Sequence, residues 1–176
     1  MYLIVGAKGF LGSYLIKNIL SMTKEDVVAA DVNYVETEQN PRLSWQNCDI
    51  TKEKDVEKLR EYLKEKNDIK VIYLPVYFNV NKNPEVDKQA WNVNILSFAR
   101  FLDIFDKVST FYGISTDMLY KEDRDIPYTE HDEITPMNDY ARHKAVEERM
   151  LEAKGYNIVR LPVMMGPSLS LVKKHF

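Results

Sequence analysis

The 176-residue chain is poor in several features, and each shortage narrows what it can be. Its single cysteine, Cys48, excludes an intramolecular disulfide framework and fits a reducing compartment, where we expect it as a buried packing residue. No run approaches the roughly 18 to 20 apolar residues that a membrane-spanning helix needs, and the opening MYLIVG lacks the basic stretch of a signal peptide. We therefore expect a cytoplasmic protein with no membrane partner.

The chain has no large excess of either charge, because it contains 24 Lys and Arg residues and 27 Asp and Glu residues. Such a balance gives no field suited to gripping a polyanion, so we expect no nucleic-acid partner. Three histidines, His131, His143 and His175, have no metal-ligand spacing with Cys48 or with one another, so no metal site is expected. We expect His143 on a helix surface. The 45% of hydrophobic residues are enough for one core, which predicts a single domain over 1–176.

Short apolar runs alternate along the chain with longer segments of helical period, a pattern typical of an α/β protein with a parallel sheet. The predicted strands are 2–5, 27–30, 43–45, 71–74, 110–115 and 157–161, and the predicted helices are 10–21, 52–66, 85–105 and 140–154. Six strands with intervening helices match the count of a doubly wound dinucleotide-binding sheet. Four aromatic residues are expected in the core between sheet and helices, in preference to a surface that stacks on bases: Tyr73, Tyr77, Phe78 and Trp91.

Only six glycines are present, yet Gly6, Gly9 and Gly12 form a complete G-x-x-G-x-x-G directly after the first strand. Glycines at this spacing permit a tight turn, a close approach of the backbone to a pyrophosphate, and close packing of helix on strand. The N-terminus of the following helix then offers unpaired N–H groups and a positive dipole end to phosphates. The spacing therefore predicts a dinucleotide-binding turn.

Asp31 ends the second strand 19 residues after Gly12, close to the offset of about 20 expected for a ribose-binding acid. A carboxylate there accepts hydrogen bonds from the ribose 2′-OH and repels a 2′-phosphate, which favours NAD over NADP. Lys8 leaves NADP open, because this loop lysine is either solvated or a partner for a 2′-phosphate.

Tyr140 and Lys144 lie four residues apart on a predicted helix, and hence on one face. Lowering the pKa of a tyrosine from about 10 to near 7 requires roughly 4 kcal/mol of differential stabilisation. This is large for one lysine, so a second positive group, such as an oxidised nicotinamide ring, would have to contribute. Ser115, Thr116 and Asp117 end the fifth strand, and ligands of doubly wound sheets bind at that edge.

Taken together, these motifs resemble the extended short-chain dehydrogenase/reductases, and within them the NAD-dependent epimerase/dehydratase family. The residues that carry the resemblance are the glycine loop, Asp31, Asp49 with Ile50, 115–120, Tyr140, Lys144 and 159–167. Segments 127–130 and 136–140, with Glu148, are similar to the dTDP-4-dehydrorhamnose reductase branch. The resemblance implies a Rossmann-like, doubly wound parallel sheet of about six strands with helices on both faces.

The resemblance also implies roles for individual residues. Tyr140 would donate or accept a proton, Lys144 would lower the pKa of Tyr140 and hold the nicotinamide ribose, and Thr116 would hydrogen-bond the substrate oxygen. Ser115 and Asp117 would lie near the substrate. The implied cofactor-binding residues are Gly6, Gly9, Phe10, Leu11, Gly12, Asp31, Asp49, Ile50, Leu74, Pro75, Val76, Asn94, Tyr140, Lys144, Pro162 and Val163.

The chain departs from the family pattern in three places. Met118 stands where the family's dehydratases carry a glutamate, which disfavours dehydration and leaves oxidation, reduction or epimerisation at a sugar carbon. The bulky segment 75–78 replaces small residues and is expected to narrow the cofactor site. Family members continue well past the equivalent of Phe176, so the substrate-binding C-terminal part is expected to be largely missing.

Two functions therefore remain open. One is an NAD(P)-dependent oxidoreductase or epimerase that acts on a nucleotide-sugar substrate. The alternative is a non-catalytic dinucleotide-binding sensor or subunit with a truncated substrate site. In either case, the family resemblance implies a homodimer formed through the helices at 85–105 and 139–154.

Overall fold

The computed structural model describes residues 1–33, 40–78, 84–121 and 123–167, so His175 and Phe176 lie outside the described residues. Six strands form one sheet in the order β3-β2-β1-β4-β5-β6, and every neighbouring pair is parallel. The strands are β1 (Tyr2–Val5), β2 (Val27–Asp31), β3 (Leu43–Asn47), β4 (Lys70–Tyr73), β5 (Thr110–Thr116) and β6 (Asn157–Leu161). All six predicted strands are confirmed, with ends that move by two residues at most.

The helices are α1 (Phe10–Met22), α2 (Glu53–Tyr62), α3 (Pro84–Trp91), α4 (Ser97–Ile104) and α5 (Asp139–Ala153). A π-helical turn, Asn92–Leu96, joins α3 to α4, so the single helix predicted over 85–105 exists with one widened turn. The helix predicted over 52–66 ends earlier than predicted, because α2 stops at Tyr62. After this residue the backbone forms a tighter turn, in which the Lys64 N–H donates to the Glu61 carbonyl three residues back. A short 3₁₀ turn, Asp117–Leu119, follows β5.

Helices cover both faces of the sheet, which explains why the strands read as continuous apolar runs. Successive side chains of a strand point to opposite faces, so Leu3 and Val5 pack on the side of α2, α4 and α5. Ile4 packs on the other side against Ile16 of α1. The chain therefore has one sheet between two apolar layers.

The aromatic residues divide between core and surface. Tyr73 is buried and its ring lies 4.9 Å from that of Phe98, and Cys48 is also buried, as predicted. The core prediction is wrong for Phe78 and Trp91, whose exposed fractions are 56% and 46%. Both follow β4 and are only partly covered, Phe78 by the ring of Tyr140 and Trp91 by the ring of His143, at 4.8 and 5.5 Å between ring centroids.

The strand order reverses between β1 and β4, because β2 and β3 lie on one side of β1 while β4, β5 and β6 lie on the other. Such a switch point opens a crevice at the carboxyl ends of the strands, where doubly wound sheets bind their ligands. The glycine turn after β1 and the hydroxyl residues that end β5 both lie at this edge. Within the described residues, no helix has the length and apolar character to cross a membrane.

Candidate active site

The glycine turn between β1 and α1 has no room for side chains. Gly6 has a φ of +78°, a left-handed conformation that side chains strain. A Cβ on Gly12 would lie 2.7 Å from the carbonyl oxygens of both Gly6 and Ala7. Gly9 precedes α1 as its N-cap without a side-chain hydrogen bond, so the first N–H groups of the helix face the crevice. This cradle fits a dinucleotide pyrophosphate.

The carboxylate of Asp31 lies beside this turn at the end of β2. Its two oxygens accept hydrogen bonds from the backbone N–H groups of Lys8 and Val32, each at 2.7 Å. Each carboxylate oxygen keeps a further acceptor site, so the group retains capacity for ribose hydroxyls. The Lys8 ammonium donates to the carbonyls of Val32 and Asn33 at 3.0 and 3.3 Å, which ties this lysine to the turn after β2.

A cavity of about 340 Å³ joins the glycine turn to the ends of β4, β5 and β6. Twelve of the residues predicted from the sequence line it: Gly6, Gly9, Phe10, Leu11, Gly12, Leu74, Val76, Ser115, Tyr140, Lys144, Pro162 and Val163. Ile114, Leu161 and Met164 also line it and were missed, although each is adjacent to a predicted residue. The structure therefore places the phosphate cradle and the tyrosine–lysine pair around one space.

Several of the predicted cofactor-binding residues are not among the described residues that line this cavity. Ile50 is buried in the hydrophobic core. Asp49 accepts hydrogen bonds from the N–H and the hydroxyl of Thr51 at 3.0 and 2.7 Å, and these bonds lower its pKa. Pro75 packs behind the turn, with its nitrogen 3.1 Å from where a Cβ of Gly6 would be.

Asn94 is buried in the π-helical turn and holds the segment after β4. Its side chain accepts from the Tyr77 N–H at 2.8 Å and donates to the Tyr77 carbonyl at 3.0 Å. The same amide lies 3.3 Å from Nδ1 of His143, which is half-buried. The expectation of a surface His143 is therefore wrong, because this side of α5 packs against the turn. In this arrangement Asn94 fixes backbone rather than lining the cavity.

Lys144 is buried on α5 and points into the molecule. Its ammonium donates to the Ile114 carbonyl at 2.9 Å and to Oε2 of Glu147 at 2.8 Å. An ammonium has three donors, so one remains for a ligand or for Tyr140. Glu147 was missed by the sequence analysis, although an acid three residues after a lysine on a helix is a recognisable signal for an ion pair.

The pKa of Tyr140 is raised, not lowered, in the chain without cofactor. Burial is the main cause, the charges of Glu147 and Asp117 add to it, and a hydrogen bond with Thr116 opposes it. That Lys144 lowers this pKa stays a prediction for the chain with its cofactor bound.

Thr116 is buried at the end of β5, where its hydroxyl has local partners. The hydroxyl accepts from the Met118 N–H at 3.2 Å and donates to Asp117 at 3.3 Å, so it caps the 3₁₀ turn. A second cavity, of about 580 Å³, opens beyond this turn. Its lining residues are Asp117, Met118, Tyr120, Tyr128, Thr129, Glu130, Arg160, Pro162 and Val163. Pro162 and Val163 line both cavities, so the two spaces adjoin. Across the described ranges, no group of three or more His, Cys, Asp and Glu side chains could hold a metal ion.

The reversed strand order and the glycine cradle define a dinucleotide-binding fold of the Rossmann type. The model of the NAD dependent epimerase/dehydratase family matches residues 2–175. The chain belongs to this family, which confirms the predicted fold and the broader resemblance. NAD as the cofactor is confirmed at the level of the family.

Solved structures share this fold. UDP-glucuronic acid 4-epimerase from Bacillus cereus, in complex with UDP-glucuronic acid and NAD, is 25% identical with a TM-score of 0.78, over 95% of this chain and 58% of that one. A UDP-glucose 4-epimerase is 26% identical with a TM-score of 0.73, over 92% of this chain and 50% of that one. WbmG from Bordetella bronchiseptica, in complex with NAD and UDP, is 20% identical with a TM-score of 0.74, over 97% of this chain and 56% of that one.

The chain thus spans between half and three fifths of the length of these solved relatives. A search of curated proteins found no significant match. The narrower resemblance to the dTDP-4-dehydrorhamnose reductase branch is not confirmed, because these neighbours include UDP-sugar epimerases.

Proposed function

We propose that this chain carries the NAD site and the acid–base pair of a nucleotide-sugar epimerase. The observation that carries the proposal is the 340 Å³ cavity, around which the glycine turn faces Tyr140 and Lys144. The 25 to 26% identical neighbours include 4-epimerases of UDP-sugars, which supports epimerisation over one-way reduction. Met118 in place of an acid argues against dehydration. Reduction of a dTDP-4-keto sugar is the second candidate, supported by the likeness of segments 127–130 and 136–140.

The residues present fit NAD. The open N-terminus of α1 binds the pyrophosphate, and the spare acceptor sites of Asp31 bind the adenosine ribose hydroxyls. The negative charge of Asp31 disfavours a 2′-phosphate, and Lys8 is already bound to two carbonyls. The remaining donor of Lys144 binds the nicotinamide ribose.

Tyr140 moves the proton at the sugar hydroxyl. When bound, NAD would supply the hydride acceptor and the positive charge of its oxidised ring. The ionised phenol of Tyr140 would take the proton of the sugar hydroxyl during oxidation, and would return it when the keto group is reduced on its other face. The raised pKa of Tyr140 means that the chain by itself keeps the phenol protonated. The nucleotide-sugar substrate occupies the second cavity, beside Asp117 and Tyr128.

Binding and turnover test the proposal separately. NADH and NADPH are titrated by fluorescence, and turnover is then followed with UDP-glucose, UDP-glucuronic acid and dTDP-4-keto sugars. We expect Tyr140→Phe to lower turnover about 100-fold or more while the NADH affinity stays within about twofold. Tyr62→Phe, on the exposed side of α2, is the control and should change neither quantity.

The alternative function predicts a different result. If the unmodified chain binds NADH and turns over none of these sugars, it is a dinucleotide-binding sensor or subunit without catalysis. If it binds neither nucleotide, both functions are contradicted.

A further inference from the structure

Two consecutive glutamates of α5 are buried in different ways. Glu148 is 2% exposed, and both of its carboxylate oxygens bind the guanidinium of Arg160, at 2.8 and 2.6 Å. Glu147 is 4% exposed, yet only Oε2 has a partner, the ammonium of Lys144 at 2.8 Å. Among the described residues, Oε1 of Glu147 has no hydrogen-bond partner. A buried carboxylate with one bond is far less well stabilised than one with a bidentate cation.

The surroundings of Glu147 contain little else to stabilise a charge. Tyr73 of β4 faces the same interior, and its hydroxyl also has no partner within the described part of the chain. Its ring packs on Phe98 and Phe101 of α4, so this layer is apolar. The charge of Glu147 also raises the pKa of Tyr73, after burial as the main cause.

The ionisable groups that act on Glu147 are few. Burial is the main cause that raises its pKa, the charge and the hydrogen bond of Lys144 oppose it, and the charge of Glu148 adds to it, which together give a pKa of about 7. Tyr73 from β4 and Tyr140 from the start of α5 both feel the charge of Glu147 in return. The neutral and ionised forms of Glu147 are therefore both within reach near neutral pH.

The charge form of Glu147 has a direct consequence for Lys144. With Glu147 ionised, the ion pair is neutral overall and contributes little positive field at the phenol of Tyr140. With Glu147 protonated, Lys144 presents a full positive charge. A positive charge near a phenol favours its ionised form, so the two forms of Glu147 act on Tyr140 in opposite directions.

We propose that Glu147 is a positioning residue for the acid–base pair, which holds Lys144 and sets the net charge that faces Tyr140. While Glu147 is ionised, the phenol keeps its proton; when Glu147 is neutral, the phenol releases its proton more readily. The functional meaning of this control rests on the proposed role of Tyr140 as acid and base. The electrostatic coupling itself belongs to the folded chain without cofactor.

The coupling is measured by NMR on the chain labelled with ¹³C at the tyrosine rings, titrated without NAD. Tyr140→Phe assigns the signal of Tyr140. We expect Glu147→Gln, which keeps the shape and removes the charge, to lower the pKa of Tyr140 by about one unit. The matched control is Glu152→Gln, an exposed change of the same charge on the same helix, which should leave this pKa unchanged.

Equal Tyr140 titrations in the unmodified chain and in Glu147→Gln would overturn the proposal. A second measurement needs no folded variant: the Glu147 carboxyl, labelled with ¹³C in the unmodified chain, should titrate near pH 7. Titration at the ordinary value of a glutamate, near 4.5, would also overturn it. Neither measurement involves NAD or a sugar, so a failure of the proposed function would appear separately, as lost binding or turnover with the coupling intact.

Discussion

The guanidinium of Arg160 on β6 grips both carboxylate oxygens of Glu148 on α5. The same guanidinium donates to the hydroxyl of Tyr120, after the 3₁₀ turn. Glu148 and the Tyr120 hydroxyl raise the pKa of Arg160 above its already high ordinary value. The helix that carries Tyr140 and Lys144 is thus joined to the last strand of the sheet by an ion pair in which Glu148 is buried and Arg160 is partly buried.

Removing Arg160 from this pair should lower the free energy of unfolding more than removing an arginine from an exposed ion pair. Arg160→Met leaves the Glu148 carboxylate buried without a partner, and we expect it to lower the free energy of unfolding by about 3–5 kcal/mol. Arg142→Met breaks an exposed pair with Asp139 on the same helix and should cost less than about 1 kcal/mol. Urea denaturation of both variants measures the difference. Equal midpoints would show that the buried pair contributes nothing specific.

Two glycine substitutions distinguish an effect on the phosphate cradle, which should weaken NADH binding, from backbone strain elsewhere, which should lower stability only. Gly12→Ala places a methyl group 2.7 Å from two backbone oxygens, so α1 must move away from β1 and its N–H groups leave their positions. We expect NADH affinity to fall about tenfold or more. Gly155→Ala also strains a left-handed residue, with φ at +68°, but its Cβ meets no atom within 4 Å. It should lower stability by about 1 kcal/mol and leave NADH binding unchanged.

The sheet and the cradle could be predicted because their signals are local. A parallel strand that is buried on both faces reads as an apolar run, and a glycine cradle needs glycine at fixed positions along a few residues. For the same reason spacing alone predicted Gly6, Gly12 and Asp31 as cofactor-binding residues. The family match then confirmed the fold that these signals implied.

Asp31 should control the choice between the two dinucleotides. Asp31→Asn keeps the shape of the side chain and removes the charge that opposes a 2′-phosphate. We expect the ratio of NADPH to NADH dissociation constants to fall about tenfold, which corresponds to about 1.4 kcal/mol. Asp106→Asn, an exposed change of the same charge, is the control. An unchanged ratio in Asp31→Asn would argue against a ribose contact.

The sequence misled where the outcome depends on contacts between distant elements. Phe78 and Trp91 were predicted to lie in the core because they are large and apolar, but the fold leaves both of them exposed. The pKa of Tyr140 depends on burial and on the charges of Glu147 and Asp117, and the four-residue spacing to Lys144 shows none of these contributions. The hydrogen bonds between the Asn94 amide and the backbone of Tyr77, 17 residues earlier in the chain, could not be predicted from the sequence, and the cofactor contact of Asn94 stays a prediction.

The predicted dimer can be tested on the exposed apolar side chains of the stretch 85–105. Trp91 and Leu96 are 46% and 50% exposed there, and exposed apolar side chains on adjacent turns favour an interface. We expect the chain to sediment as a dimer and Leu96→Lys to weaken the dimer about tenfold or more. Ile126→Lys, at an apolar position that is 66% exposed and lies outside both helices, should leave the dimer intact. A monomeric unmodified chain would contradict the prediction.

The pH dependence of stability should reveal the buried Glu147 directly. Its pKa is raised to about 7 in the folded chain, while in the unfolded chain it lies near 4.5. Between these values the folded chain binds the proton more tightly, so this group's contribution to stability is complete below about pH 4.5 and is lost as the pH rises through about 7. The loss amounts to at most about 3 kcal/mol.

Urea denaturation at pH 5, 6, 7 and 8 measures this loss. Because Glu147→Gln has no proton to release, its stability should fall less over this range than that of the unmodified chain, and the two curves should become parallel above about pH 8. Glu152→Gln should follow the unmodified chain throughout, since its carboxylate is exposed. Curves of Glu147→Gln and the unmodified chain that run parallel from pH 5 to 8 would mean that Glu147 is already ionised in the folded protein at pH 5.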